Sequence, residues 1–368
     1  MKYKIVHIHT DVKFLQGSEV FDNEVFDNIK YYIINSDEKI NLPNNVICIQ
    51  NFEAEFEKLI LCLNNASMIV IWGLSAINRD IVLAVNDNVK IAWRFFGFEL
   101  YSKMVDFTHT KMTLRASYSF LKRFAYTNTF GKKLLNLKNK NKNDKFIRSI
   151  KRINYFIGLS RIEYEFLKLH FPYLPEFIFS PFINSYKEFS YSKIKPYKII
   201  LGHNAHAFNN HLEIMELLRN KSNDKDIDFY MFMSYGRNKK YIENVKQNAK
   251  QIPNLTIIDK MLPFDKFVDF YSSSHAFVLN AHRQCGMGNV FVGLKNGVKI
   301  YLNEKNIIYE WLKSEGFIIF TIDDFKRDLS INNFILSEEE ALFNFNCFKS
   351  LTHKYSVENF QQKIIGIL

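Results

Sequence analysis

Short apolar runs alternate with longer stretches of helical period along almost the whole chain. That alternation restricts the fold more than any other feature of the sequence. Lys4–His9, Tyr31–Ile34, Val46–Ile49, Met68–Trp72 and Val89–Phe95 read as strands. Phe52–Asn65 repeats apolar residues at Phe52, Phe56, Leu59, Ile60 and Leu63, one face of a helix, and Ile77–Val85 is a shorter helix. Strands separated by helices require crossover connections, so a mainly parallel sheet follows. The rhythm returns at Tyr155–Leu159, a helix over Arg161–His170, and Phe177–Phe182. A second series then runs through strands at Lys198–Leu201, Phe229–Met233, Leu255–Ile258, His275–Leu279, Lys299–Leu302 and Phe317–Thr321. Its helices are expected at His211–Arg219, Lys239–Ile252, Asp265–Tyr271, Val290–Leu294 and Ile307–Ser314, and Glu338–Ser350 and Val357–Ile367 follow it.

A chain of 368 residues suits two domains. The polar, irregular stretch Asn184–Pro196 divides the two series. Residues 1–186 are therefore expected as a first Rossmann-like domain, and 187–350 as a second. Residues 351–368 form a helix expected to pack back on the first. The four cysteines show no C-x-x-C spacing, which points to neither a zinc site nor a redox pair. Met1–His9 lacks the apolar core of a signal peptide, and no apolar run approaches the length that spans a bilayer. A cytoplasmic protein with at most peripheral membrane attachment is expected.

Lys111–Arg152 breaks the rhythm, with 13 Lys and Arg against the single acid Asp144. Phe120, Lys122, Arg123 and Phe124 lie in its aromatic-basic part. Such a segment suits an anionic membrane surface. A nucleic-acid surface, or a solvated basic helix followed by a Lys/Asn loop over Lys138–Lys145, are the other readings. No RNA- or DNA-binding motif accompanies the charge, and nucleic acid is not the expected partner.

Ligands of a parallel sheet sit beyond the carboxyl ends of its strands. In the second series those ends carry Gly202–His211, Ser234-Tyr235-Gly236, Asn280–Asn289 and Asn303–Asn306. The stretch Asn280-Ala281-His282-Arg283-Gln284-Cys285-Gly286-Met287-Gly288-Asn289 joins a buried strand to a helix. Its glycines sit where free N–H groups attract anions, so it reads as a phosphate or sugar-phosphate site, or else as a Gly-rich turn with a surface arginine. In the first series the strand ends carry Asp11 and Glu99, either of which can act as a general base toward a sugar hydroxyl. Helix capping and a first-turn acid are their alternative roles. His7 and His9 share one strand face. Walker, G-x-G-x-x-G, G-x-S-x-G and H-E-x-x-H motifs are absent. Asp226 and Asp228 form an acidic pair at the wrong end of the sheet for a divalent ion, so no metal is expected.

Two α/β domains with a donor-type site in the second are the arrangement of GT-B glycosyltransferases, with parallel sheets facing a cleft. Gly202…Asn209-Asn210-His211, Ser234-Tyr235-Gly236, Leu262-Pro263 and Arg283-Gln284-x-Gly286-x-Gly288-Asn289 resemble the TDP-N-acetylfucosamine:lipid II N-acetylfucosaminyltransferase family, also called 4-alpha-L-fucosyltransferase. Trp93-Arg94-x-x-Gly97-x-Glu99-Leu100-Tyr101 and His7…Asp11 look like its N-terminal motifs. Family members tend to carry Gly-Asn-Ser at Gly202-His203-Asn204 and Asp at Glu99. The resemblance implies transfer of an amino-deoxysugar from a dTDP-sugar to an undecaprenyl-diphosphate-linked saccharide, at the cytoplasmic face of the bacterial inner membrane. It implies no cofactor beyond the donor. Gly202, Asn204, Asn209, His211, Ser234, Tyr235, Gly236, His282, Arg283, Gln284, Gly288 and Asn289 would then bind the donor. Asp11 or Glu99 would be the base, and Arg94 and Tyr101 would face the acceptor. Another nucleotide-sugar on the same fold, or a non-catalytic nucleotide- or polyanion-binding protein, is the alternative.

Overall fold

The computed structural model describes residues 2–34, 41–182, 189, 191, 196–221 and 224–368. The boundary stretch Asn184–Pro196 lies for the most part outside the described residues. Two compact units result, neither of them a continuous piece of chain. The first comprises Met1–Leu100, Asn136–Asn184 and Thr352–Leu368, and the second Tyr101–Leu135 and Ser185–Leu351.

The first unit holds strands β1 (Tyr3–His9), β2 (Phe26–Ile33), β3 (Val46–Ile49), β4 (Met68–Trp72), β5 (Lys90–Arg94), β6 (Tyr155–Gly158) and β7 (Glu176–Phe179), in the order β3-β2-β1-β4-β5-β6-β7. Every pairing is parallel. All five residues of β4 are buried, the continuous apolar run of a strand covered on both faces. The helix Phe52–Leu63 starts where the Asn51 side chain accepts from the Ala54 N–H, with Glu53 and Glu55 in its first turn. Such a cap contributes about 1 kcal/mol. Burying Leu59, Ile60 and Leu63, at about 1.5–3 kcal/mol each, outweighs it. β2 begins at Phe26, earlier than the apolar pattern indicates, because neighbours satisfy its polar residues. Asn28 donates to the Phe21 carbonyl and pairs with His7. The helix Val357–Ile367 buries Phe360 and Ile364 in this unit, and Gln361 donates to the carbonyls of Val20 and Asp22.

The second unit holds β8 (Tyr197–Leu201), β9 (Ile227–Phe232), β10 (Leu255–Ile258), β11 (Ala276–Leu279), β12 (Lys299–Leu302) and β13 (Phe320–Thr321), in the order β10-β9-β8-β11-β12-β13, again all parallel. Asp226 and Asp228 flank the start of β9, at the amino end of this sheet. Two regions depart from the expectation. Ile322–Ile331 is a helix with a Thr321–Asp324 capping box, and the Lys/Asn run belongs to the helices Thr129–Lys138 and Lys140–Arg152. The latter persists because Phe146 and Ile150 are buried and Lys145 pairs with Asp80.

β12 carries a buried ion pair. Lys299 Nζ lies 2.8 Å from Asp328 Oδ2, each side chain 5 % exposed. Tyr301 donates to the same carboxylate at 2.8 Å, and Lys299 also donates to the Asn333 carbonyl at 3.0 Å. Removing one partner strands the other charge. Asp328→Ala is therefore expected to cost about 3–5 kcal/mol in denaturant unfolding, and Lys299→Met with Asp328→Leu to cost less than that single change.

Candidate functional site

Each sheet reverses its winding once, between β1 and β4 in the first unit and between β8 and β11 in the second. At such a switch point the neighbouring connections diverge and leave a crevice at the carboxyl ends. In the second unit the crevice is bounded by the loops after β8 and β11. Asn210 ties them together. It sits in the left-handed region at φ 50 and ψ 47, which asparagine tolerates. Its side-chain amide donates to the carbonyls of Asn280 (3.0 Å) and Thr108 (3.3 Å) and accepts from the Thr110 N–H (3.1 Å). Asn280 answers by donating to the Asn210 carbonyl, and Asn303 donates to Asn280 Oδ1. Residues 101–118 are thereby part of this site. Thr110 and Thr113 also donate to Glu213, and Asn238 donates to the Ser117 carbonyl.

Two glycines are demanded by close approach. A Cβ on Gly202, at φ +63, would lie 2.6 Å from His211 Nε2, and one on Gly286, at φ +62, would lie 3.0 Å from the His203 ring. Asn204 Oδ1 accepts from the His206 N–H and from Asn209 Nδ2, both at 2.9 Å. His203 Nδ1 donates to Asn209 Oδ1 at 2.8 Å and its Nε2 accepts from Asn204 Nδ2 at 2.7 Å. The His211 N–H donates to the Tyr241 hydroxyl.

Arg283 is the outlier of this crevice. It is 7 % exposed, and its guanidinium lies over Phe208 at 4.1 Å and over Tyr101 at 5.3 Å. Its Nε is sealed from solvent with no hydrogen-bond partner among the described residues, and the neighbouring Gln284 Oε1 is sealed in the same way. Withdrawing a charge from water costs several kcal/mol, and cation–π contacts return about 0.5–2 kcal/mol each. The difference favours an anion at this place. The surrounding rings do not compete for the positive charge. Burial, with the Arg283 charge adding, holds His203 down to about 3 and His109 to about 4. Burial and Lys305 hold His282 to about 4, and burial holds His211 to about 3.

The remaining expected donor residues divide. Tyr235 and Gly236 join the site, since the Tyr235 carbonyl accepts from the Ala205 N–H and a Cβ on Gly236 would lie 2.8 Å from Ala205. Ser234 lies beside them in the loop after β9. Gly288 is exposed in the first turn of the helix Met287–Lys295. The Asn289 side chain donates to the Tyr271 hydroxyl at 2.8 Å. Tyr101 packs on Arg283 within the second unit. Phe208, His203 and His109 also belong to the site. Phe208 and His203 lie inside the Gly202–His211 loop, but nothing in the sequence connects residues 101–118 with it.

At the carboxyl ends of the first sheet, Lys13, Phe14, Trp72, Arg94, Phe96 and Ser180 line a pocket of about 140 Å³. Phe14 and Phe96 stack, and Arg94 lies over Phe96 at 5.3 Å. Burial lowers Arg94 to about 10, against the charges of Glu99 and Glu163. Asp11 caps the 3-10 turn Val12–Phe14, accepting from the Lys13 N–H, and pairs with Lys13 Nζ at 2.9 Å. Glu99 is buried. Its Oε1 accepts from the Leu74 N–H at 3.3 Å and from Trp93 Nε1 at 3.2 Å, and burial pushes its carboxyl up to about 7. His7 and His9 are both fully buried, and His9 stacks on Trp72. Burial lowers them to about 4 and about 3.

The helix Phe120–Thr127 leaves Phe120 71 %, Leu121 77 % and Phe124 40 % exposed, beside Lys122 and Arg123. Among the described residues no helix is long and apolar enough to cross a membrane.

Residues 167–340 match the family model of 4-alpha-L-fucosyltransferase, glycosyl transferase group 56. Among solved structures, the UDP-forming alpha,alpha-trehalose-phosphate synthase of Burkholderia vietnamiensis is similar at TM-score 0.64 and 7% identity, over 99% of each chain. Sucrose-phosphate synthase of Thermosynechococcus elongatus is similar at TM-score 0.64 and 9% identity, over 100% of this chain and 98% of that one. Anabaena HepE in complex with UDP gives a TM-score of 0.59 at 7% identity, over 100% and 99%. At these identities the likeness shows the fold, which is GT-B. The chain is a glycosyltransferase of the GT-B fold, related through residues 167–340 to the 4-alpha-L-fucosyltransferase family, glycosyl transferase group 56.

Proposed function

We propose that the protein transfers an N-acetylfucosamine-like amino-deoxysugar from a dTDP-sugar to an undecaprenyl-diphosphate-linked saccharide. The reaction would serve bacterial surface polysaccharide synthesis, of O-antigen or common-antigen type, at the cytoplasmic face of the inner membrane. The observation that carries the transfer chemistry is Arg283, a buried guanidinium with no acidic partner among the described residues, at the switch point of the second sheet. A nucleoside diphosphate supplies the missing negative charge. As the bond from the sugar's anomeric carbon to the diphosphate breaks, charge grows on the departing oxygen. Arg283 and the N–H groups of the first turn of Met287–Lys295 neutralise it. Gly202 and Gly286 hold the loops close enough for that contact. The fucosyl-transferring family matched over residues 167–340 favours a deoxysugar donor.

In the first unit, the pocket beside Phe14, Trp72 and Phe96 offers aromatic faces to a sugar, and Lys13 and Arg94 offer charge to an acceptor phosphate. Glu99 is the base in this reading, because a carboxyl raised to about 7 can take a hydroxyl proton near neutrality. Asp11 acts through its cap, which fixes the turn that carries Lys13 and Phe14. The membrane reading rests on Phe120, Leu121 and Phe124 with Lys122 and Arg123, and on Phe130 and Leu134 one turn apart on the next helix, 63 % and 51 % exposed. Each Lys or Arg near an anionic surface contributes about 1 kcal/mol.

Three outcomes follow from this reading. Arg283→Ala should lower kcat/KM for sugar transfer from a dTDP-sugar by about 10²–10³, the cost of losing one transition-state donor, in a variant that still unfolds cooperatively. Full activity would remove Arg283 from the donor site. Glu99→Gln keeps the Oε1 acceptor for Trp93 and Leu74. It should cost about 10²–10⁴ in kcat and abolish the rate limb near pH 7. The raised Glu99 carboxyl lends stability below its unfolded value near 4.5 that is lost as pH rises through about 7. Wild type should therefore lose stability relative to Glu99→Gln across that window in pH-dependent unfolding. Phe120→Glu with Leu121→Glu should abolish co-sedimentation with anionic vesicles. Retained binding would place the membrane surface elsewhere.

A further inference from the structure

An arginine that must grip a substrate diphosphate has to be held still without using the hydrogen bonds it offers. A carboxylate partner would occupy the fork of N–H groups, which lies in the plane of the guanidinium. Arg283 is held by aromatic rings instead. Its guanidinium carbon lies over the Phe208 ring at 4.1 Å and over the Tyr101 ring at 5.3 Å. Glu213, an acid on the same side of the sheet, is turned to the hydroxyls of Thr110 and Thr113. Both aromatic rings are themselves anchored. Phe208 belongs to the 3-10 turn Ala207–Asn209 and stacks on His206 at 5.1 Å with an interplanar angle of 13°. Tyr101 is 3 % exposed and opens the segment that Asn210 fixes through Thr108 and Thr110.

We infer that Phe208 and Tyr101 are positioning residues, which clamp the Arg283 guanidinium by its faces and keep its N–H edge open for the leaving diphosphate. The inference rests on the reading of Arg283 as the diphosphate ligand. Phe208, at stacking distance, carries the larger share. In this reading Tyr101 acts on the donor through Arg283. Residues 101–118 accordingly take part in donor use, although they are remote in sequence from the matched residues 167–340.

The test compares Phe208→Leu, which keeps apolar bulk and loses the π face, with Phe208→Tyr, which keeps both. Transfer from a dTDP-sugar is measured with donor and acceptor varied separately. Phe208→Leu should lower kcat about tenfold, within the range of one cation–π contact, leave the acceptor KM unchanged, and be rescued by Phe208→Tyr. Tyr101→Leu should show the same split more weakly, and serves if Phe208→Leu fails to fold. In an Arg283→Lys background Phe208→Leu should add less than it does alone, because the pair acts as a unit. Equal activity of Phe208→Leu and wild type, or additive losses in the double variant, would overturn the clamp. Wild-type activity in Arg283→Ala would instead overturn the reading of Arg283 itself, so the two failures are distinct.

Discussion

The reciprocal hydrogen bonding of Asn210 and Asn280 is the constraint on which the second unit's site depends. Each donates its side-chain amide to the other's backbone carbonyl, across the point where the sheet changes direction. Without it the loops after β8 and β11 would be free to follow their own crossovers. With it, Gly202 meets His211, Gly286 meets His203, and Arg283 comes to rest against Phe208. The same asparagine receives the Thr110 N–H, so a distant piece of chain is fastened to the crevice by the residue that closes it. A left-handed backbone at Asn210 is the local strain that this arrangement requires.

The site is electrostatically selective because of what burial does to its histidines. Five rings lie in or beside the two loops and the 101–118 segment: His109, His203, His206, His211 and His282. Four of them are pushed far below the ordinary imidazole value, chiefly by desolvation. With these rings neutral, the positive charge between Phe208 and Tyr101 sits on Arg283, whose planar fork suits a diphosphate. An imidazolium beside it would spread that charge over positions without the same geometry. Keeping the rings neutral also leaves them usable as hydrogen-bond pairs, as His203 shows between Asn204 and Asn209.

Much of the fold is legible in the sequence because parallel sheets write themselves as buried apolar runs. Met68–Trp72 and Ala276–Leu279 are uninterrupted, and their strands lie where those runs predict. Legibility fails where polar residues are satisfied by neighbours that the sequence does not reveal. Asn28 and Lys30 hide the first half of β2, and charged residues mask the helix Ile322–Ile331. In the site, the glycines and Arg283 announce themselves by spacing. The placement of Tyr101 does not, because it depends on Asn210 more than a hundred residues later. Asn289 adds a smaller case: its place in a polar motif is plain, but the hydrogen bond from its side chain to the Tyr271 hydroxyl is not.

The interleaving of the two units has a consequence for biosynthesis. The first sheet is complete once Glu176–Phe179 has emerged from the ribosome, but one wall of its core is the helix Val357–Ile367. Phe21, Phe26 and Val20 must wait for Phe360 and Ile364 through the synthesis of the whole second sheet. The first unit to begin folding is therefore the last to finish. Its exposed apolar face is open to chaperones, or to aggregation, for as long as translation of the intervening residues lasts.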